Sequence, residues 1–209
     1  MEVGLVAAAR AAIGFMPEHE GLALYEAGLR AGERGPLLEI GSYCGKSAIY
    51  LGAAARERGT ILYSIDHHRG SEEHQPGEEY HDPRLLDPDG NVDTYPVFRA
   101  TVGDAGLDTV VIPIVAPSSE IAPNWDMPLG LVFIDGGHSA TAAQSDLESW
   151  GPMVTEGGLL AIHDVFEDPA EGGRPPFEIY ERALASGMFE EAGRTGSLRV
   201  LERVGDGVL

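Results

Sequence analysis

Five short apolar runs most narrowly constrain what this 209-residue chain can fold into. They are LLEIG (Leu37 to Gly41), ILYSID (Ile61 to Asp66), VVIPIV (Val110 to Val115), LGLVFID (Leu129 to Asp135) and GLLAIHD (Gly158 to Asp164). A strand with one wet face alternates apolar and polar residues, whereas a strand covered on both faces is apolar throughout. Between the runs the period changes to three and four residues, over Lys46 to Arg58, about Val92 to Val102, and Ala140 to Trp150 with Ser139 as N-cap. Leu22, Tyr25 and Leu29 mark an earlier helix that closes near Gly32 or Gly35. PFEIYERALASG reads as a late helix, followed by a hairpin turning at Thr195 and Gly196.

Strands alternating with helices predict an α/β fold, a Rossmann-like doubly wound sheet. The sheet is mostly parallel, has helices on both faces and ends in an antiparallel hairpin. No repeat or Ser/Gly linker divides the chain, so residues 1–209 read as one domain with a helical segment over 1–35. The stretch from His67 to Asn91 carries neither period and holds His67, His68, His74 and His81. It leaves the end of the second strand, where open α/β sheets bind ligands, so it is expected to form a lid.

Fourteen Lys and Arg against thirty-four Asp and Glu give a net charge of −20. Such a surface repels phosphate backbones and anionic headgroups, which excludes nucleic acid and acidic membranes as partners. The single cysteine, Cys44, cannot form an intramolecular disulfide. No apolar run approaches a membrane span, and the first residues lack a signal-peptide pattern, so the chain is expected in the cytoplasm. The Ala-rich segment from Val6 to Phe15 offers an apolar face for a homodimer.

After the first strand the chain reads Glu39-Ile40-Gly41-Ser42-Tyr43-Cys44-Gly45-Lys46-Ser47. A P-loop needs its first glycine where Ile40 stands, and a dinucleotide fingerprint needs one where Tyr43 stands. The remaining pattern, E-x-G-x-x-x-G, resembles motif I of class I S-adenosylmethionine (SAM) dependent methyltransferases. That resemblance makes Glu39, Gly41, Ser42, Tyr43, Gly45 and Ser47 cofactor-binding candidates, with glycines turning tightly beside the ligand and Glu39 facing its cationic groups. Asp66 ends the second strand, placed to accept from ribose hydroxyls. Ser118, after the third strand, is either an adenine contact or a helix cap.

Strands four and five end in Asp135 and in His163-Asp164, and adjacent parallel strands bring these acids to one sheet edge. Two carboxylates with nearby imidazoles suit a divalent cation. The run I-D-G-G-H-S, then E-G-G-L-L-A-I-H-D-V, resembles a metal-dependent branch of O-methyltransferases that modify sugars and antibiotics. The resemblance implies Asp135, His163 and Asp164 as ligands of Mg²⁺ or Mn²⁺, Asp135 also as a catalytic and cofactor-facing residue, and His138 as general base. Relatives often carry an acid where this chain has His163, and an imidazole suits a transition metal better than Mg²⁺. His67, His68, Tyr80 and His81 are then the substrate candidates, and the acceptor is a hydroxyl of a sugar or oligosaccharide, a methylated mannoside included. A P-loop-like NTPase, a non-catalytic SAM-binding protein and a catechol-type O-methyltransferase are the competing readings.

Overall fold

The fold is given by a computed structural model that describes residues 1–71, 74–75, 77–78, 80–137, 139–168, 170 and 172–209. The strands are β1 (Leu37–Ile40), β2 (Leu62–Asp66), β3 (Val111–Val115), β4 (Leu129–Ile134), β5 (Val154–Ile162), β6 (Phe189–Thr195) and β7 (Leu198–Arg203). The helices are α1 (Val3–Ala11), α2 (Glu18–Ala31), α3 (Lys46–Arg58), α4 (Tyr95–Asp104), α5 (Ser118–Ile121), α6 (Ala140–Trp150) and α7 (Pro175–Ala185). The strands form one sheet in the order β3-β2-β1-β4-β5-β7-β6. β1 to β5 run parallel, and β7 and β6 add an antiparallel hairpin. The α/β class, the parallel sheet and the hairpin expected from the sequence are all present.

Period-two alternation explains why the strands look uniformly apolar. Leu37, Leu131, Phe133, Leu159 and Ala161 face a core shared with α1, α2 and α3, while Leu38, Val132, Ile134, Leu160 and Ile162 face one shared with α6 and α7. β3 departs from this pattern. It is the outer strand, and Ile112 and Val115 are 37% and 52% exposed, so its apolar run does not mean cover on both faces.

Two boundaries also differ from expectation. α4 begins at Tyr95 because Val92 is drawn into a bridge with Leu86, and Pro96 suits only a first helical turn. The hairpin turns at Gly196 and Ser197, since Thr195 still pairs with Leu198. In α1, Leu5 and Ala9 are buried in the core shared with α2 and α3, so much of that apolar face is used within the chain; Val3 and Phe15 stay exposed. Among the described residues no helix is long and apolar enough to cross a membrane.

The chain order reverses between β1 and β4, which opens a crevice beyond the strand ends. Gly41 makes the tight junction there. It has φ 87°, and a Cβ on it would lie 2.1 Å from the Asp135 carbonyl oxygen. Gly59, with φ 67°, has nothing within 4 Å of its Cβ position. Gly41→Ala should therefore cost at least about 3 kcal/mol and Gly59→Ala only about 1 kcal/mol, read by urea denaturation. Equal losses would mean that the close approach of the two loops contributes nothing.

Candidate active site

The parallel strands end flush. Ile40 pairs with Ile65 and Ile134, and Ile134 with Ile162, so the residues just beyond leave the sheet along one edge. Gly41, Asp66, Asp135 and His163 all line a cavity of ≈340 Å³ at that edge.

The loop after β1 is held by Asp66. Its Oδ2 accepts from the backbone N–H of Ser42 at 3.0 Å and of Tyr43 at 2.8 Å, and its Oδ1 from His68 N–H at 2.7 Å. Asp66 thus organises two loops while also facing the cavity. Ser42, Tyr43 and Ser47 line the cavity as well. The Ser42 hydroxyl is buried with no partner among the described residues, an arrangement that calls for a polar ligand atom. Gly41 and Gly45, with φ 87° and 90°, make the tight turn expected of them, and Gly41 lines the cavity. The protein itself adds a steric demand at each: a Cβ on Gly41 would meet the Asp135 carbonyl, and one on Gly45 would sit 3.2 Å from the Phe98 ring.

Glu39 lies behind the cavity wall. It shares a strand face with Leu37, toward α3, and its two oxygens accept from Ser47 Oγ at 2.8 Å and Ser64 Oγ at 2.6 Å. Complete burial drives its pKa up to about 7 against the pull of those two bonds, and it is not among the residues that line the cavity, where the motif suggests it would face a cationic ligand. Ser118 is the first residue of α5, with Pro117 as the N-cap, and its hydroxyl donates to Asp146 on α6. Burial raises the Asp146 carboxyl to about 6. Both residues line the cavity, as do Ala116 and Pro117.

Asp135, His163 and Asp164 come together. Their ligand atoms all lie within 4.8 Å of one another. His163 Nδ1 is 3.0 Å from Asp135 Oδ1 and 3.4 Å from Asp164 Oδ1. Its Nε2 is 2.6 Å from Oε2 of Glu20, a buried carboxylate on α2. Burial opposes charge on the ring, but Asp135, Glu20 and Asp164 outweigh it and raise the imidazole to about 11. Burial likewise pushes the Glu20 carboxyl upward, and bonds from His163 and Ser197 reverse that and leave it below its ordinary value. Asp164 adopts φ 54°, a strained conformation for a non-glycine residue. His138 lies outside the described residues.

The long loop contributes otherwise than expected. His67 lines the cavity and accepts from Arg69 N–H at 3.0 Å. His68 is buried: φ 58° turns it inward, its Nδ1 shares a hydrogen bond of 2.7 Å with Thr94 Oγ1, and its ring sits against Tyr95 and Phe98. It is a packing residue and is not placed to touch substrate. Tyr80 lies edge-on to Phe15 at 5.1 Å, and His81 donates to the His74 carbonyl at 3.2 Å. Phe15 and His74 themselves line the cavity, with Tyr43 4.8 Å from the His74 ring. Tyr80 and His81 therefore back the wall instead of forming it. Lys46 is also in the wall, and its ammonium donates to the carbonyl of Gly14 at 3.3 Å.

A family model described as a methyltransferase domain matches residues 38–165, the span from β1 to the end of β5. The chain belongs to the methyltransferase domain family. Solved structures share the fold at low identity. The SAH-bound methyltransferase PaMTH1 of Podospora anserina matches with TM-score 0.65 and 13% identity, over 98% of this chain and 89% of that one. The O-methyltransferase NovP matches with TM-score 0.68 and 16% identity, over 90% and 81%. TomG, an O-methyltransferase from Streptomyces achromogenes in complex with SAM, matches with TM-score 0.63 and 16% identity, over 98% and 91%.

This methyltransferase site includes residues that sequence reasoning missed. Asp146 shares the buried face of α6 with Ala143, Leu147 and Trp150, and Glu20 shares that of α2 with Leu24, Ala27 and Ala31. An acid on an apolar stripe at helical spacing was the available signal. Phe15 carried none, while His74 stood only as one of the histidines of the stretch after the second strand and Lys46 only as a member of the glycine loop.

Glu39 gives a pH test. Its carboxyl titrates at an ordinary 4.5 when unfolded and at about 7 when folded, so folding favours the neutral acid. That contribution is full below pH 4.5 and is lost as pH rises through 7. Wild type should lose roughly 2.5 kcal/mol more stability than Glu39→Gln between pH 5 and 8, measured by urea denaturation. Parallel pH profiles would show that Glu39 is already ionised in the core.

Proposed function

We propose that this methyltransferase is SAM-dependent, transfers the methyl group to oxygen with the help of a divalent cation, and takes a hydroxyl of a sugar or oligosaccharide as acceptor. One observation carries the reading: Asp135, His163 and Asp164 converge in the cavity that also holds Asp66, Ser42 and the Ser118–Asp146 pair. Asp66 at the end of β2 suits ribose hydroxyls, and Asp146 suits an exocyclic amino group. The unpartnered Ser42 hydroxyl and Lys46 suit the polar tail of an amino acid moiety. PaMTH1 and TomG, bound to SAH and SAM, support the same cofactor here.

The donor set fits a cation. Asp135 and Asp164 each offer a carboxylate oxygen and His163 a ring nitrogen, and these three atoms all lie within 4.8 Å of one another. Asp135, His163 and Asp164 are the residues that would hold it, and when bound it supplies the positive charge that eases loss of a proton from an alcohol. His138, three residues past Asp135 in the chain, takes that proton as the oxygen attacks the methyl carbon. The carbon–oxygen bond forms as the carbon–sulfur bond breaks. Phe15, His67 and His74 position the acceptor and keep water out.

The stretch IDHHRGSEEHQPGEEYHD resembles the mycobacterial 1-O-methyltransferase of methylmannose polysaccharide synthesis, which supports a methylated mannoside as acceptor. The rings of Phe15, Tyr43 and His74 on one wall favour a second reading, a phenolic acceptor.

Turnover of SAM against a panel of sugars and catechols, with EDTA and with Mg²⁺ or Mn²⁺ restored, tests both readings. Asp135→Asn and Asp164→Asn should each lose at least about a hundredfold in kcat while SAM affinity changes by less than about fivefold. Undiminished activity in EDTA would exclude the cation. Thermal stabilisation by ATP and not by SAM would exclude the cofactor.

A further inference from the structure

The mounting of His163 is more elaborate than a core histidine needs. Its Nε2 proton is committed to Glu20 Oε2 at 2.6 Å, and Glu20 is itself held by the hairpin: its Oε1 accepts from Ser197 N–H at 2.7 Å, and the Ser197 hydroxyl lies 3.3 and 3.2 Å from its two oxygens. Gly196 leaves room for this carboxylate, since a Cβ there would fall 1.9 Å from Oε1. Ser197 is tied in turn to the end of β5 through Val165 N–H, which donates to its carbonyl at 3.0 Å. His19 Nε2 also lies 3.9 Å from Oε1, with its side chain 64% exposed. α2, β5 and the β6–β7 turn thus fix one ring nitrogen and leave the other, Nδ1, facing Asp135 and Asp164.

We infer that Glu20 is a positioning residue that holds His163 in the Nε2-protonated tautomer, making Nδ1 the nitrogen donor of a one-imidazole, two-carboxylate site that prefers a first-row transition metal such as Mn²⁺ over Mg²⁺. The inference rests on the cation reading proposed above. Its physical basis is that a histidine ligating a metal through one nitrogen is oriented by the acceptor on the other, and that replacing an oxygen donor by imidazole shifts preference away from Mg²⁺. A cation bound there displaces the proton that Asp135 and Asp164 otherwise hold on Nδ1.

Isothermal titration of the folded, metal-stripped protein with Mn²⁺ and with Mg²⁺ reads this without turnover. Wild type should bind Mn²⁺ at least about tenfold more tightly than Mg²⁺, and Glu20→Gln should weaken Mn²⁺ binding about ten- to a hundredfold. His163→Asp, which restores an oxygen donor, should keep a cation site and narrow the Mn²⁺ preference. In the Zn²⁺-loaded wild type, nitrogen-15 spectra should show the His163 proton on Nε2; this stands even if Glu20→Gln does not fold. Unchanged Mn²⁺ affinity in a folded Glu20→Gln protein, or a proton on Nδ1 in the loaded protein, overturns the role of Glu20 and leaves the cation site standing. Absence of binding by wild type and by His163→Asp overturns the cation reading itself, and the role of Glu20 with it.

Discussion

Strand register is the constraint on which this molecule depends. Ile114, Ile65, Ile40, Ile134 and Ile162 pair in one row across five parallel strands. A one-residue slip in any pair would exchange its buried faces and move the following residue away from the edge. Asp66, Gly41, Asp135 and His163 meet because the row is straight, and the apolar packing that fixes the row therefore also positions the polar groups.

The sequence made much of this legible, for definable reasons. Three of the five strand runs ended in aspartate, and the change from continuous apolar runs to spacings of three and four located the helices between them. Strand adjacency brought Asp135 and Asp164 to one edge, and the family resemblance added His163 to them. Other features depend on facing direction. Glu39 shares the parity of Leu37, so it points into the α3 core instead of the cavity, and reading the strand face would have predicted that. His68 could not be placed so easily, because its inward turn requires φ 58°, which no composition or period signals. Glu20 reaches His163 across 143 residues of chain, and only the packing of α2 against the sheet makes that pairing visible.

Charge shows the same division of labour. A net charge of −20 is a property of the surface, yet Glu20, Glu39 and Asp146 are acids with 5% exposure or less. Each is compensated differently. Glu39 has serine hydroxyls and is driven toward neutrality, Asp146 has one serine hydroxyl, and Glu20 has an imidazole and a backbone N–H. Buried carboxylates without such partners cost several kcal/mol. Tyr43, His68 and Asp164, non-glycine residues with positive φ, all lie just beyond strand ends at this edge. Strain of about 1 kcal/mol or more at each is held in place by the packed sheet beneath.

The Glu20 clamp also orders events in time. Its partners lie 143 and 177 residues further along the chain, beyond the point at which most of the sheet has been synthesised. Until the final hairpin emerges and docks, the acid on the apolar stripe of α2 has His163 but lacks the Ser197 donors, which penalises premature packing of that helix. Site assembly and completion of the fold thus become one late step, and a nascent chain short of its last strands would hold neither His163 nor the cavity edge in working order.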